Sequence, residues 1–131
     1  MRFGYTILYV RDVAASVAFY EQAFGLARRF VHDSGTYAEM ETGATTLAFA
    51  SEGLAEANGL AIRSNTLRDP AAGFEIGLVS EDPAAGYARA VAARATAVVP
   101  VKEKPWGQKV GYVRDLDGCL VEICSPMGGN G

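Results

Sequence analysis

The sequence predicts an α+β fold built from two copies of one βαβββ module, and three observations predict it. The chain has 131 residues, half of them hydrophobic and 21% charged, which is the composition and length of one globular domain with a real core. Displaced by 70 residues, it falls on itself: Leu8 meets Leu78, Asp12 meets Asp82, and Ala14-Ala15 meets Ala84-Ala85. The order of events is also the same in both places, a short apolar strand running into an acidic cap from which a helix begins.

In the first module the strand starts at Tyr5 and leads to Asp12, whose carboxylate can accept from the free N–H groups of a first helical turn. Val13, Val17, Tyr20 and Phe24 follow at spacings of four, three and four, one apolar stripe on a helix face. Gly25 then supplies the left-handed residue that commonly ends a helix. Three strands are predicted next, at 26–31, 37–41 and 45–51, broken by Asp33-Ser34-Gly35 and Thr42-Gly43. Residues 52–72 are polar and aperiodic, and read as the connection between modules and as a flap over a site.

The second module repeats the order. A strand from Glu75 meets Asp82 as cap, with Pro83 at the first helical position. Tyr87, Ala90, Val91 and Arg94 form a weaker stripe, and no glycine marks the helix end near Arg94. Strands are predicted at 97–101, 109–114 and 119–124, broken by Pro105-Trp106-Gly107 and Asp117-Gly118, with 127–131 as a fraying tail. The expected organisation is one domain: module one at about 1–51, connection 52–72, module two at about 73–125. One helix covers one face of four strands, so each half leaves a sheet face bare. Two sheets curling around a shared interior would cover both faces and form a ligand cup.

Several function classes are excluded by what the chain lacks. A net charge of −3 with mixed signs offers no basic stripe for nucleic acid. No run approaches the roughly 18 apolar residues of a membrane helix, and the first residues have no signal-peptide layout, so the expected compartment is the cytoplasm. Cys119 and Cys124 lie five apart on one predicted strand and point to opposite faces, so they read as reduced structural thiols. Without a nearby His they are not a zinc site. There is no Gly-rich phosphate loop, Gly-x-Ser-x-Gly or Cys–His pair.

The run from Tyr5 through Ser16, Phe19 and Tyr20 to Phe24-Gly25 resembles the opening of vicinal oxygen chelate proteins, with their strand, Asp, Ser-x-x-Phe-Tyr helix and closing Phe-Gly. Val113-Arg114-Asp115-Leu116-Asp117-Gly118, with Glu122 beyond it, resembles that family's closing hairpin, with Leu116 where Pro is usual, and Pro105-Trp106-Gly107-Gln108 before it is a common variant. The resemblance covers nearly the whole chain and implies the glyoxalase/bleomycin resistance fold, a curved mixed-sheet cup, and a homodimer. It also implies metal-ligand positions on the first and last strand of each module, which fall here on Tyr5, Leu47, Glu75 and Glu122. Glu122 fits that pattern and Glu75 is an oxygen donor, but Tyr5 and Leu47 depart from it. An oxygen-only pair suits zinc poorly, so no cofactor is expected beyond a divalent metal held weakly by Glu75 and Glu122.

Strand alternation sketches the cup: Tyr5, Ile7 and Tyr9 on one wall with Thr45, Leu47 and Phe49, and Glu75, Gly77, Val79, Leu120, Glu122 and Cys124 on the other. The expected ligand contacts are therefore Tyr5, Tyr9, Leu47, Phe49 and Glu75, with Trp106 as either a pocket rim or a sheet-end plug. Two carboxylates facing one cavity should raise at least one pKa, which makes Glu122 the candidate general base. The competing reading pairs Glu122 or Glu75 with Arg114 or Lys109 as a register lock. His32, near Arg28 and Arg29, reads as a solvated strand edge. Two functions stay open. One is a metal-independent binding protein of the bleomycin-resistance type; the other is a metal-assisted lyase, isomerase or dioxygenase using Glu122 on a substrate with vicinal oxygens.

Overall fold

A computed structural model describes residues 1–127; residues 128–131 of the tail expected to fray lie outside the described residues. The elements run β1 (Tyr5–Val10), α1 (Val13–Phe24), β2 (Ala27–Val31), β3 (Tyr37–Glu41), β4 (Thr46–Ser51), α2 (Glu52–Ala57), β5 (Glu75–Val79), α3 (Pro83–Ala92), β6 (Thr96–Glu103), β7 (Lys109–Arg114) and β8 (Leu120–Cys124). They form the expected α+β pair of βαβββ modules. The chain divides into two compact units, Met1–Asn65 and a second beginning at Thr66.

In the first unit Asp12 Oδ1 accepts from the Ala15 amide at 3.0 Å, and Gly25 ends α1 at φ 69°. The stripe buries Val13, Val17 and Tyr20. The sheet order is β1-β4-β3-β2, with β1 parallel to β4 and the other pairs antiparallel. Leu8 lies opposite Phe49, whose ring meets Tyr20 of α1 edge-on at 5.0 Å. Leu47 and Phe49 therefore face α1, and the residues that share a face with Tyr5, Ile7 and Tyr9 are Thr46, Ala48 and Ala50. This corrects the inward placement of Thr45, Leu47 and Phe49. Strand β4 is buried on both faces, so no polar alternation sets its phase; the large side chains went to the helix and the alanines to the other face.

The connection is not loop throughout. Ser51 Oγ accepts from the Leu54 amide at 3.1 Å and starts α2. No helix among the described residues is long and apolar enough to cross a membrane.

The second unit repeats the topology as β5-β8-β7-β6, with β5 parallel to β8. Asp82 Oδ1 accepts from the Ala85 amide at 3.1 Å with Pro83 in the first turn. Helix α3 stops at Ala92 although no glycine follows: Arg94 takes the left-handed conformation itself, at φ 80°. Val113, Val121 and Ile123 are buried, and Ile123 lies under Gly86 of α3. The other face of this sheet carries Glu75, Gly77 and Val79. Cys119 and Cys124 are both free and buried.

Candidate functional site

Register assembles the candidate site on the second unit's sheet face turned away from α3. Glu75 pairs Leu120, which pairs Arg114; Gly77 pairs Glu122, which pairs Tyr112; Val79 pairs Cys124, which pairs Val110. Opposed residues of neighbouring strands share a face, so these nine side-chain positions form three rows. Glu75 and Glu122 are diagonal neighbours, and their carboxyl groups hydrogen-bond to each other. Tyr112 Oη donates to Glu122 Oε1 at 3.3 Å. Gly77 leaves the position beside Glu122 open, since a Cβ there would meet nothing within 4 Å.

Two carboxyl groups in hydrogen-bond contact must share a proton. The bond to Glu122, then burial, then repulsion by the Glu122 charge push the Glu75 carboxyl up to about 7. Burial and the two acids also raise the Tyr112 phenol. The Cys124 thiol rises to about 11, chiefly by burial and then by the neighbouring Glu122 carboxyl group, and donates to the Leu78 carbonyl at 3.7 Å. It is no nucleophile near neutral pH.

Neither acid is locked by Arg114. That guanidinium donates to the carbonyls of Gly118 (2.9 Å), Asp69 (2.7 Å), Thr66 (3.1 Å) and Leu67 (3.4 Å), tying the connection to the β7–β8 hairpin. Trp106 plugs nothing: it is 63% exposed in the β6–β7 turn, with Nε1–H donating to Gln108 Oε1 at 2.9 Å. His32 is exposed in the turn after β2, against Ser34.

On the first unit Tyr5 is 58% exposed and Tyr9 half-buried. Their face also holds a network the sequence reading missed. Arg29 donates to Glu41 Oε2 at 2.7 Å, to Glu39 Oε1 at 3.0 Å and to Thr46, and Tyr37 Oη donates to Glu39 Oε2 at 2.8 Å. Burial, followed by that bond, pushes the Tyr37 phenol up to about 12. Arg29 escaped notice because a β-bulge between Arg28 and Phe30 shifts the alternation on β2. Tyr112 escaped because its role needs the β7–β8 register, although its parity with 109–114 was readable.

The same rows test the metal positions that the resemblance implies. The 70-residue offset sets Ile7 against Gly77, and Ala48 is beside Ile7 as Glu122 is beside Gly77. The partner position of Glu122 is thus Ala48 rather than Leu47, and neither side chain has a donor atom. Among the described residues no group of three or more His, Cys, Asp or Glu could hold a metal ion. The residues present do not fit a four-ligand centre.

The shared proton has a consequence for stability. Between about 4.5 and 7 the folded chain holds a proton on Glu75 that the unfolded chain has released, so the stability it confers is full below 4.5 and is lost as pH climbs through about 7. Gln keeps a donor for Glu122 and cannot ionise. Glu75→Gln should therefore match the parent near pH 4.5 and melt about 2 °C higher at pH 8, a modest gain because solvent screens an exposed acid. Equal melting differences at both pH values would contradict the shared proton.

A family model described as a glyoxalase-like domain matches residues 3–128. Among solved structures, a glyoxalase-related enzyme from Fulvimarina pelagi is 26% identical with a TM-score of 0.79, covering 96% of this chain and 88% of that one. A protein of unknown function from Agrobacterium tumefaciens str. C58 is 25% identical with a TM-score of 0.77, covering 96% and 94%. A glyoxalase/bleomycin resistance protein/dioxygenase family enzyme from Burkholderia phytofirmans PsJN is 20% identical with a TM-score of 0.75, covering 92% and 95%, a likeness of fold alone. No match was found among curated proteins.

Proposed function

The chain belongs to the glyoxalase-like domain family, and from that premise we propose that it binds a small molecule without assembling the four-ligand metal centre. The observation that carries this reading is the Glu75–Glu122 pair beside the Tyr112 hydroxyl, with the open Gly77 position next to it. Such a face takes a cation or a strong hydrogen-bond donor, which supplies the proton or charge that two adjacent carboxyl groups need. Trp106 contributes apolar surface on the same unit. Leu47 and Phe49 take no part, being packed under α1. A homodimer belongs to the same reading and rests on the resemblance, and a cytoplasmic location is proposed with it.

Titration calorimetry with 4-phenylbutylammonium tests it. A cation favours the ionised pair and must displace the Glu75 proton at low pH. Affinity is expected to rise roughly 10-fold from pH 5.5 to pH 8, levelling above about 7. Glu122→Gln should weaken binding and flatten that profile. One equivalent of divalent metal in protein purified without chelator, lost in Glu122→Gln, would overturn the binder and favour the metal-assisted alternative.

A further inference from the structure

Gln108 precedes β7 and is 7% exposed, yet both ends of its amide have a partner. Its Oε1 accepts from Trp106 Nε1–H at 2.9 Å, and its Nε2 donates to the Ser125 carbonyl at 2.9 Å. An indole N–H only donates and a carbonyl only accepts, so these two partners permit one orientation of the amide. The same side chain lies beside the Cys124 thiol, which has the Glu122 carboxyl group on its other side. Gln108 thus sits at the Cys124 end of the row that leads to Glu122 and Glu75.

Trp106 is the chain's sole tryptophan, and an indole left 63% exposed would ordinarily sample several rotamers. Here its polar edge is satisfied from below by a buried amide, so its apolar ring faces solvent in one orientation. We propose that Gln108 is a positioning residue that holds Trp106 as a fixed aromatic wall at the Cys124 end of the acid-bearing face. The ligand class that follows is a flat apolar group joined by a short linker to a cation. The four steps from Gln108 to Tyr112 span about 13 Å of strand, which is the length available to it. This inference rests on the binding reading above and narrows it.

Gln108→Met keeps the side-chain length and removes both hydrogen bonds; Gln108→Glu keeps the acceptor for Trp106. The single indole N–H gives one cross-peak in a proton–nitrogen spectrum. Its exchange with water is expected to quicken at least 5-fold in Gln108→Met and to stay near the parent rate in Gln108→Glu. In calorimetry at pH 8, Gln108→Met should bind 4-phenylbutylammonium about 5- to 10-fold more weakly, while butylammonium, which has no ring, is unaffected. Unchanged indole exchange in Gln108→Met overturns the positioning role, as does an equal loss for both probes. If the parent protein binds neither probe while its indole exchange depends on Gln108, the binding reading fails and the Gln108–Trp106 restraint stands. Circular dichroism of each variant confirms that a loss is not unfolding.

Discussion

Phe49→Ala is expected to cost about 3–5 kcal/mol of folding stability, the usual loss for a buried aromatic truncated to a methyl group. The side chain is fully buried, its ring meets Tyr20 edge-on at 5.0 Å, and Tyr20 in turn meets Phe24 at 4.9 Å. Truncation removes apolar area, the edge-on contacts and the filling beneath α1 together. Urea unfolding monitored by circular dichroism measures it, and the midpoint should fall with the slope unchanged. A loss below about 1 kcal/mol would place Phe49 on the other face, where the sequence alone had set it.

Gly118→Ala is expected to cost about 2–4 kcal/mol, for two separable reasons. Gly118 sits at φ +92°, where an L residue is strained by about 1–2 kcal/mol. A Cβ there would also stand 2.7 Å from the Thr66 carbonyl carbon, 2.8 Å from its oxygen and 2.9 Å from Arg114 Nη2. Backbone cannot yield as a side-chain tip can, so the hairpin or the strap of residues 66–69 must move. Gly43, at φ +83° with nothing within 4 Å, isolates the first cause, and Gly43→Ala should cost only about 1 kcal/mol. The excess of one variant over the other is the steric share. It should appear with faster amide exchange at residues 68 and 69, whose segment the Arg114 bonds hold. Equal costs for the two variants would show that the contact with Thr66 yields freely.

The fold was legible wherever local chemistry decides structure. Asp12 and Gly25 bounded α1, Asp82 and Pro83 started α3, and β3 and β7 fall on the residues read as strands. The acid face was legible too, because Glu75, Glu122 and Cys124 follow from strand alternation once Tyr5 is taken to face inward. The failures share one physical origin, that partners distant in sequence decide the outcome. The phase of β4 depends on its register with β1, and Arg29 on a bulge that sequence does not mark. Tyr112 acquires its carboxylate across β7–β8, and Gln108 acquires Trp106 through a turn whose glycine, Gly107, was read only as a break. The start of α2 was the exception: Ser51 is an ordinary cap, hidden because the polar residues after it resemble a loop.

The strand order also fixes a sequence of events in time. In each unit the first strand made pairs only with the last: Tyr5–Val10 with Thr46–Ser51, and Glu75–Val79 with Leu120–Cys124. On a ribosome the opening strand of a unit emerges, its helix coils behind it, and both wait some 40 residues for the hydrogen-bond partner. Until then β1 or β5 is an unpaired edge in the nascent chain, the state most open to wrong association. The carboxyl pair inherits that timing, because Glu75 is synthesised 47 residues before Glu122 and titrates as an ordinary acid until the closing strand arrives.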